Sequence, residues 1–117
     1  FPMAENQSKL KRLAELLRKN PNDSFAKFAL ALELIKADES KKARVLFESV
    51  LEQDPEYLGV YYHLGKLYER TDRVEDARSM YTRGIELAEK KNEERTKHEL
   101  EEALETINLD NDDNDTL

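Results

Sequence analysis

Apolar residues recur at helical spacing along most of the chain, and short polar breaks divide the pattern into six segments. In the first segment Leu10, Leu13 and Leu17 fall on one side, and in the last Leu100 and Leu104 do the same. Spacings of three and four residues are typical of amphipathic helices. We therefore expect helices over residues 5–20, 21–37, 40–53, 55–71, 73–90 and 93–109.

The breaks carry recognisable start and stop signals. Asn20-Pro21 and Asp54-Pro55 each place a capping residue before a proline, which fits the first turn of a helix because its missing N–H has no partner there anyway. Asn92 offers a further cap. Residues 110–117 are polar and acidic, and we expect this tail to fray.

The second and third predicted helices repeat as the fourth and fifth, with a period of 34 residues. The matched positions are Pro21 and Pro55, Leu30 and Leu64, Ala31 and Gly65, Asp38 and Asp72, Ala43 and Ala77, and Phe47 and Tyr81. A period of this length indicates stacked helix–turn–helix units. Such stacks form binding surfaces, so the pattern favours a binding protein over an enzyme.

Two repeats alone would leave an apolar face uncovered at each end of a stack. The first and last helices supply the missing layers. The sequence thus predicts a single domain over residues 1–117: a leading helix (5–20), repeat 1 (21–54), repeat 2 (55–88), a capping helix (93–109) and the tail (110–117).

The second repeat resembles the tetratricopeptide repeat (TPR) family, in the manner of small stand-alone bacterial members. The positions that carry the resemblance are Tyr61, Leu64, Gly65, Tyr68, Ala77 and Tyr81. The first repeat matches at Leu30, Ala31, Ala43, Phe47 and Pro55, but Lys27 stands where an aromatic is usual. The resemblance implies an all-α, right-handed superhelical stack of two helical hairpins between two capping helices.

The family commonly binds a peptide or protein segment in a concave groove formed by the first helix of each repeat. By resemblance the groove residues are Phe25, Phe28, Leu32, Ile35 and Lys36 in repeat 1, and Tyr62, Lys66, Glu69 and Arg70 in repeat 2. One subtype clamps a C-terminal carboxylate with Lys, Asn and Arg. Here Phe28 and Leu32 fill two clamp positions and offer no donor, which excludes that subtype.

The second helix carries two apolar stripes, one through Leu30 and Leu34 and one through Phe25, Phe28 and Leu32. A helix that is apolar on more than one side is covered on more than one side. One stripe faces the partner helix of the repeat. The other faces the leading helix, a bound peptide or a second copy of the chain, and the last case would make the protein a homodimer built on Phe25, Phe28, Leu32 and Ile35.

Composition excludes some classes of partner but does not identify one. The net charge of −7 disfavours sequence-independent binding of nucleic acid, and no apolar run is long enough to cross a bilayer. No phosphate loop, catalytic constellation or metal-ligand cluster accompanies His63 or His98, so we expect no cofactor and no enzymatic activity. The absence of cysteine and of a signal-like N-terminus fits a cytoplasmic adaptor.

Overall fold

The helical pattern folds as expected in a computed structural model that describes the backbone of residues 2–116 and the side chains of residues 8–110. Within that range the secondary structure consists of six α-helices and no strand. They are α1 (Pro2–Lys19), α2 (Ser24–Lys36), α3 (Ser40–Gln53), α4 (Gly59–Arg70), α5 (Val74–Lys90) and α6 (Glu94–Thr116). The predicted all-α class is confirmed. The chain groups into two compact units, Phe1–Val60 and Tyr61–Leu117.

Both X-Pro breaks are turns that precede a helix, which corrects the predicted starts of α2 and α4. The Asp23 N–H donates to the Asn20 carbonyl at 3.1 Å, and the Tyr57 N–H donates to the Asp54 carbonyl at 3.1 Å. Each proline therefore occupies the second position of a β-turn, where its fixed φ is favourable. The cap of α2 is Asp23, whose carboxylate accepts a hydrogen bond from the Ala26 N–H at 3.1 Å.

Three helices end in the same left-handed turn. Asp38, Asp72 and Asn92 have φ values of 61°, 59° and 58°. After each, the next N–H reaches back five residues, for example from Glu39 to the Leu34 carbonyl at 2.8 Å. This is the Schellman arrangement, and Asp and Asn tolerate its left-handed position better than other non-glycine residues. The repeated Asp38 and Asp72 thus end the first helix of each hairpin.

In the first unit α2 packs against both α1 and α3. Phe47, Val50, Ala31 and Ala43 are fully buried there. Lys27, in the position usually held by an aromatic, is also buried. Its ammonium donates to the Ser49 hydroxyl at 2.8 Å and to the Gln53 side-chain carbonyl at 2.7 Å, so it joins α2 to α3 by hydrogen bonds.

The second unit places an aromatic and a cation in the matching slots. Tyr61 and Arg83 lie 34 residues beyond Lys27 and Ser49, and the Arg83 guanidinium sits 5.4 Å from the centre of the Tyr61 ring. Repeat 1 therefore takes its cation from the first helix, and repeat 2 takes it from the second. Both arrangements give the cation a favourable partner, which is a pair of hydrogen-bond acceptors for Lys27 and an aromatic ring for Arg83.

Two glycines allow close helix packing in the second unit. A Cβ on Gly65 would lie 2.8 Å from Cζ of Tyr81, and one on Gly84 would lie 2.8 Å from Cβ of Tyr61. Gly65 thus brings α4 onto α5, as the small residue at this position predicts. α6 packs on α5 through Leu100, which is fully buried.

The last helix is longer than expected. Its backbone remains helical to Thr116, beyond the predicted end at residue 109, and the side chains of the predicted acidic tail from 111 onwards lie outside the described residues. The chain simply lacks a helix-stopping glycine or proline after Asn92. No helix in the described part of the chain combines the length and the apolarity that crossing a bilayer requires.

Candidate functional site

The candidate groove residues of the first repeat lie on α2, and we call Phe25, Phe28, Leu32, Ile35 and Lys36 the first-repeat face. Phe25 is 66% exposed, whereas Phe28 is half-buried. The Phe28 ring lies 5.8 Å from the Phe47 ring and 5.1 Å from the Tyr57 ring. Phe28 is therefore anchored in the core of its own unit, and Phe25 is the more exposed of the two rings.

The remaining members of the first-repeat face are two half-buried apolar side chains and one exposed charged side chain. Leu32 and Ile35 are half-buried, and exposed Lys36 forms an ion pair with Glu33 at 3.3 Å. Glu33 is itself buried, and its Oε2 has no hydrogen-bond partner among the described residues. The end of α2 thus presents charge beside the apolar stripe.

The leading helix lies against the other stripe of α2. Leu10 and Ala14 of α1 line the same cavity as Leu30 and Leu34. Phe25 remains exposed, so α1 does not cover the whole of the first-repeat face. The two alternatives that leave Phe25 available, a bound segment and a second copy, stay predictions.

The candidate groove residues of the second repeat lie on α4, and we call Tyr62, Lys66, Glu69 and Arg70 the second-repeat face. The Lys66 ammonium lies 5.6 Å from the centre of the Tyr62 ring and 3.7 Å from Oε2 of Glu69. Glu69 also accepts a hydrogen bond from the Tyr81 hydroxyl. Burial, reinforced by this carboxylate, raises the pKa of Tyr81 above its ordinary value, so the hydroxyl stays a donor.

Part of the second-repeat face opens into a pocket of about 280 Å³. Its lining combines two residues of α4 with four of α6: Tyr62, Lys66, Glu99, Glu102, Ala103 and Thr106. Glu69 and Arg70 do not line it. The α6 residues were missed as candidates because the family pattern stops at the second repeat, although polar residues opposite Leu100 were a usable signal.

The pocket offers one cation, two carboxylates, a hydroxyl and an aromatic ring. Lys66 can hold an acidic or carbonyl group, and Glu99 and Glu102 can hold a basic one. Such mixed polar groups suit a peptide segment of varied sequence better than a wholly apolar ligand.

The histidines lie at the margin of this region. Burial lowers the pKa of His63, partly opposed by Glu99, which keeps the imidazole neutral at pH 7. His98 is exposed and lies 3.3 Å from Glu102, its i+4 neighbour. Among the described residues no group of three or more possible ligands is placed to hold a metal ion.

Comparison with known proteins agrees with the geometry. A family described as tetratricopeptide repeat matches residues 34–94. A tetratricopeptide repeat domain protein from Salinibacter ruber is 45% identical, with a TM-score of 0.71, over 74% of this chain and 96% of that one. A search of the curated proteins found no match.

Two more distant structures share the fold. The type III secretion translocator chaperone SycD of Yersinia enterocolitica is 16% identical with a TM-score of 0.86, over 95% of this chain and 77% of that one. The TPR2B domain of yeast Sti1, solved as a pHsp70 complex, is 14% identical with a TM-score of 0.82, over 94% of this chain and 88% of that one.

Proposed function

Because the chain belongs to the tetratricopeptide repeat family, we propose that it is a non-enzymatic protein-interaction module that binds a peptide or protein segment on the first helices of its repeats. The observation that carries this proposal is the pocket of about 280 Å³ at the second-repeat face, since it includes Tyr62 and Lys66. Its ring and its converging polar groups can fix the orientation of a bound segment. An adaptor role and a cytoplasmic location fit this function and stay predictions.

The bound segment should carry an acidic or carbonyl-rich stretch for Lys66. The complex of Sti1 with pHsp70 shows what one member of this fold binds. We do not extend a carboxylate clamp to this chain, because Phe28 and Leu32 lack the donors that such a clamp needs.

Selection from a random peptide library on the immobilised protein tests the proposal. Peptides that bind should lose affinity by roughly tenfold in Lys66→Glu, because reversing a partly exposed charge at the contact costs about 1.4 kcal/mol. The matched control is Lys90→Glu, an exposed lysine on α5 outside the pocket, which should leave binding unchanged. Peptides that bind Lys66→Glu as well as the parent protein would contradict the assignment of this face.

A second candidate function is self-association through the first-repeat face, and the 66% exposure of Phe25 favours it. Burying two such rings in a symmetric contact would contribute to a homodimer. Sedimentation velocity should then show a dimer that Phe25→Ser converts to a monomer. A wild-type protein that sediments as a monomer at all concentrations would exclude this candidate and leave the peptide-binding role in place.

A further inference from the structure

The first unit contains an open apolar groove away from the first-repeat face. Three helices form it, and its volume is about 640 Å³. Its apolar lining comprises Leu10 and Ala14 of α1, Leu30 and Leu34 of α2, and Val45 and Leu46 of α3. Val45 is 56% exposed and extends this apolar lining to the surface.

The second repeat shows that its framework does not require this exposure. The residues 34 positions after Leu30, Leu34 and Leu46 are Leu64, Tyr68 and Met80, and all three are buried. In place of Val45 the second repeat has a serine, Ser79. At the three matched leucine positions the first repeat is therefore the more exposed of the two repeats.

Basic residues border the groove, and two of them lie in the first turn of a helix, where positive charge is unfavourable. Lys41 and Lys42 occupy the first turn of α3, which has no acidic residue. The first turn of α5 holds Glu75 and Asp76 in the same positions. Acidic residues stabilise the N-terminal end of a helix and cations weaken it. A local choice against helix stability, beside an exposed apolar surface, is typical of a functional site.

The ammonium groups of Lys41 and Lys42 are available to pair with carboxylates of a partner. Both are exposed, and among the described residues neither forms an ion pair, whereas neighbouring Arg44 is paired with Glu48 at 2.9 Å. A symmetric dimer through this groove would bring Lys41 and Lys42 against their own copies, which is repulsive. The charge therefore calls for an acidic partner.

The walls of the groove determine the shape of that partner. All three are helices, whose backbone groups bond within each helix, so the groove gives an extended peptide no ladder to join. A helix satisfies its own backbone and presents an apolar stripe to such a groove. We propose that this groove docks an amphipathic helix of another protein, with apolar side chains on Leu30, Leu34 and Val45 and carboxylates beside Lys41 and Lys42.

Two synthetic helical peptides provide the probe. They share one leucine stripe and differ only in the residues that flank it, which are Glu in one and Lys in the other. Fluorescence anisotropy should show binding of the Glu peptide, weakened by added salt, and at least tenfold weaker binding of the Lys peptide. Amide chemical-shift changes should map to α1, α2 and α3.

The charge-reversed variant Lys41→Glu plus Lys42→Glu is the key test, because it should stabilise α3 and so cannot lose binding by unfolding. We expect this variant to bind the Glu peptide with about tenfold lower affinity. The control Lys90→Glu plus Lys91→Glu changes net charge equally at an exposed site and should leave binding intact. Amide chemical-shift changes on α1, α2 and α3, rather than on α4 and α6, separate this groove from the second-repeat face.

Four results would overturn the proposal. The first is no binding of the Glu peptide, the second is equal binding of both peptides, and the third is no effect of the charge reversal. The fourth is self-association of the wild type that Lys41→Glu plus Lys42→Glu abolishes. That result would assign the groove to a second copy, whose α6 has eight acidic residues and no lysine or arginine from position 98 to 116.

Discussion

At the scale of single residues, Gly65 sets the distance between α4 and α5. Gly→Ala inside a helix normally stabilises it by up to about 1 kcal/mol. Here a Cβ would lie 2.8 Å from Cζ and 2.9 Å from Cδ1 of the fully buried Tyr81 ring. We therefore predict that Gly65→Ala lowers the free energy of unfolding by about 1–3 kcal/mol through overpacking.

Urea unfolding followed by circular dichroism measures this effect. Gly59→Ala is the matched control. A Cβ on Gly59 would have Cζ of Phe28 as its nearest neighbour, at 3.2 Å, and this atom is the far end of a half-buried ring. The control should change stability little. Equal stabilities for Gly65→Ala and the parent protein would show that the two helices can separate without cost.

A pair of residues differs between the repeats as a unit. Tyr81 and Glu69, which share a hydrogen bond, replace Phe47 and Ile35 of the first repeat. Removing the hydroxyl in Tyr81→Phe leaves a partly buried carboxylate without its donor, and we predict a loss of about 1.5–3 kcal/mol.

The double variant Tyr81→Phe plus Glu69→Ile reproduces the first-repeat pair. It should recover much of the lost stability, because both polar partners are then removed together. A double-mutant cycle measured by urea unfolding gives the coupling. Additive effects of the two changes would mean that the hydrogen bond contributes nothing.

At the scale of the helices, the left-handed ends of α2 and α4 depend on residues that tolerate positive φ. Asp72 has φ 59°. We predict that Asp72→Val destabilises the protein by about 1–2 kcal/mol, because a branched side chain is strained in this region, whereas Asp72→Gly is neutral or stabilising. Thermal melts of both variants check the order. A valine variant as stable as the glycine variant would contradict it.

The sequence predicted helices best where local signals agree with the repeat. The bounds of α3 are those expected, and Gly65 and Ala77 are small because they pack at close helix contacts. It misplaced the starts of α2 and α4, since an X-Pro pair signals a β-turn as well as a helix N-terminus. Periodicity could not separate the two, whereas Asp23, three residues ahead of Ala26, was the true capping signal.

The candidate site was only partly predictable for a different reason. The family pattern pointed to Tyr62 and Lys66, which line a pocket, but it says nothing about α6, which lies outside the repeats. Likewise no local rule showed that Lys41 and Lys42 border an apolar groove, since that needs the packing of α1 and α3 on α2. Such surfaces depend on tertiary contacts between segments distant in sequence.

At the scale of the whole molecule, charge is divided unevenly. Residues 1–60 contain ten basic and ten acidic side chains, so the net charge of −7 lies entirely in residues 61–117. The basic border of the first-unit groove is thus a local feature of a neutral half. An acidic partner helix would therefore be attracted to this basic border.

The acidic half relies on α6 for its core. Leu100 and Ile107 are buried, and Leu100 meets Gly84 where a Cβ would lie 2.9 Å from its Cδ1. Removing residues 93–117 should therefore lower the free energy of unfolding by about 3–6 kcal/mol, since each large side chain contributes about 1.5–3 kcal/mol when buried. Removing only residues 110–117 should change stability little, because Leu109 and Asp110 are already exposed. Urea unfolding of both truncated chains tests the contrast, and a chain ending at Asn92 that unfolds at the midpoint of the full chain would show that α6 adds nothing to the core.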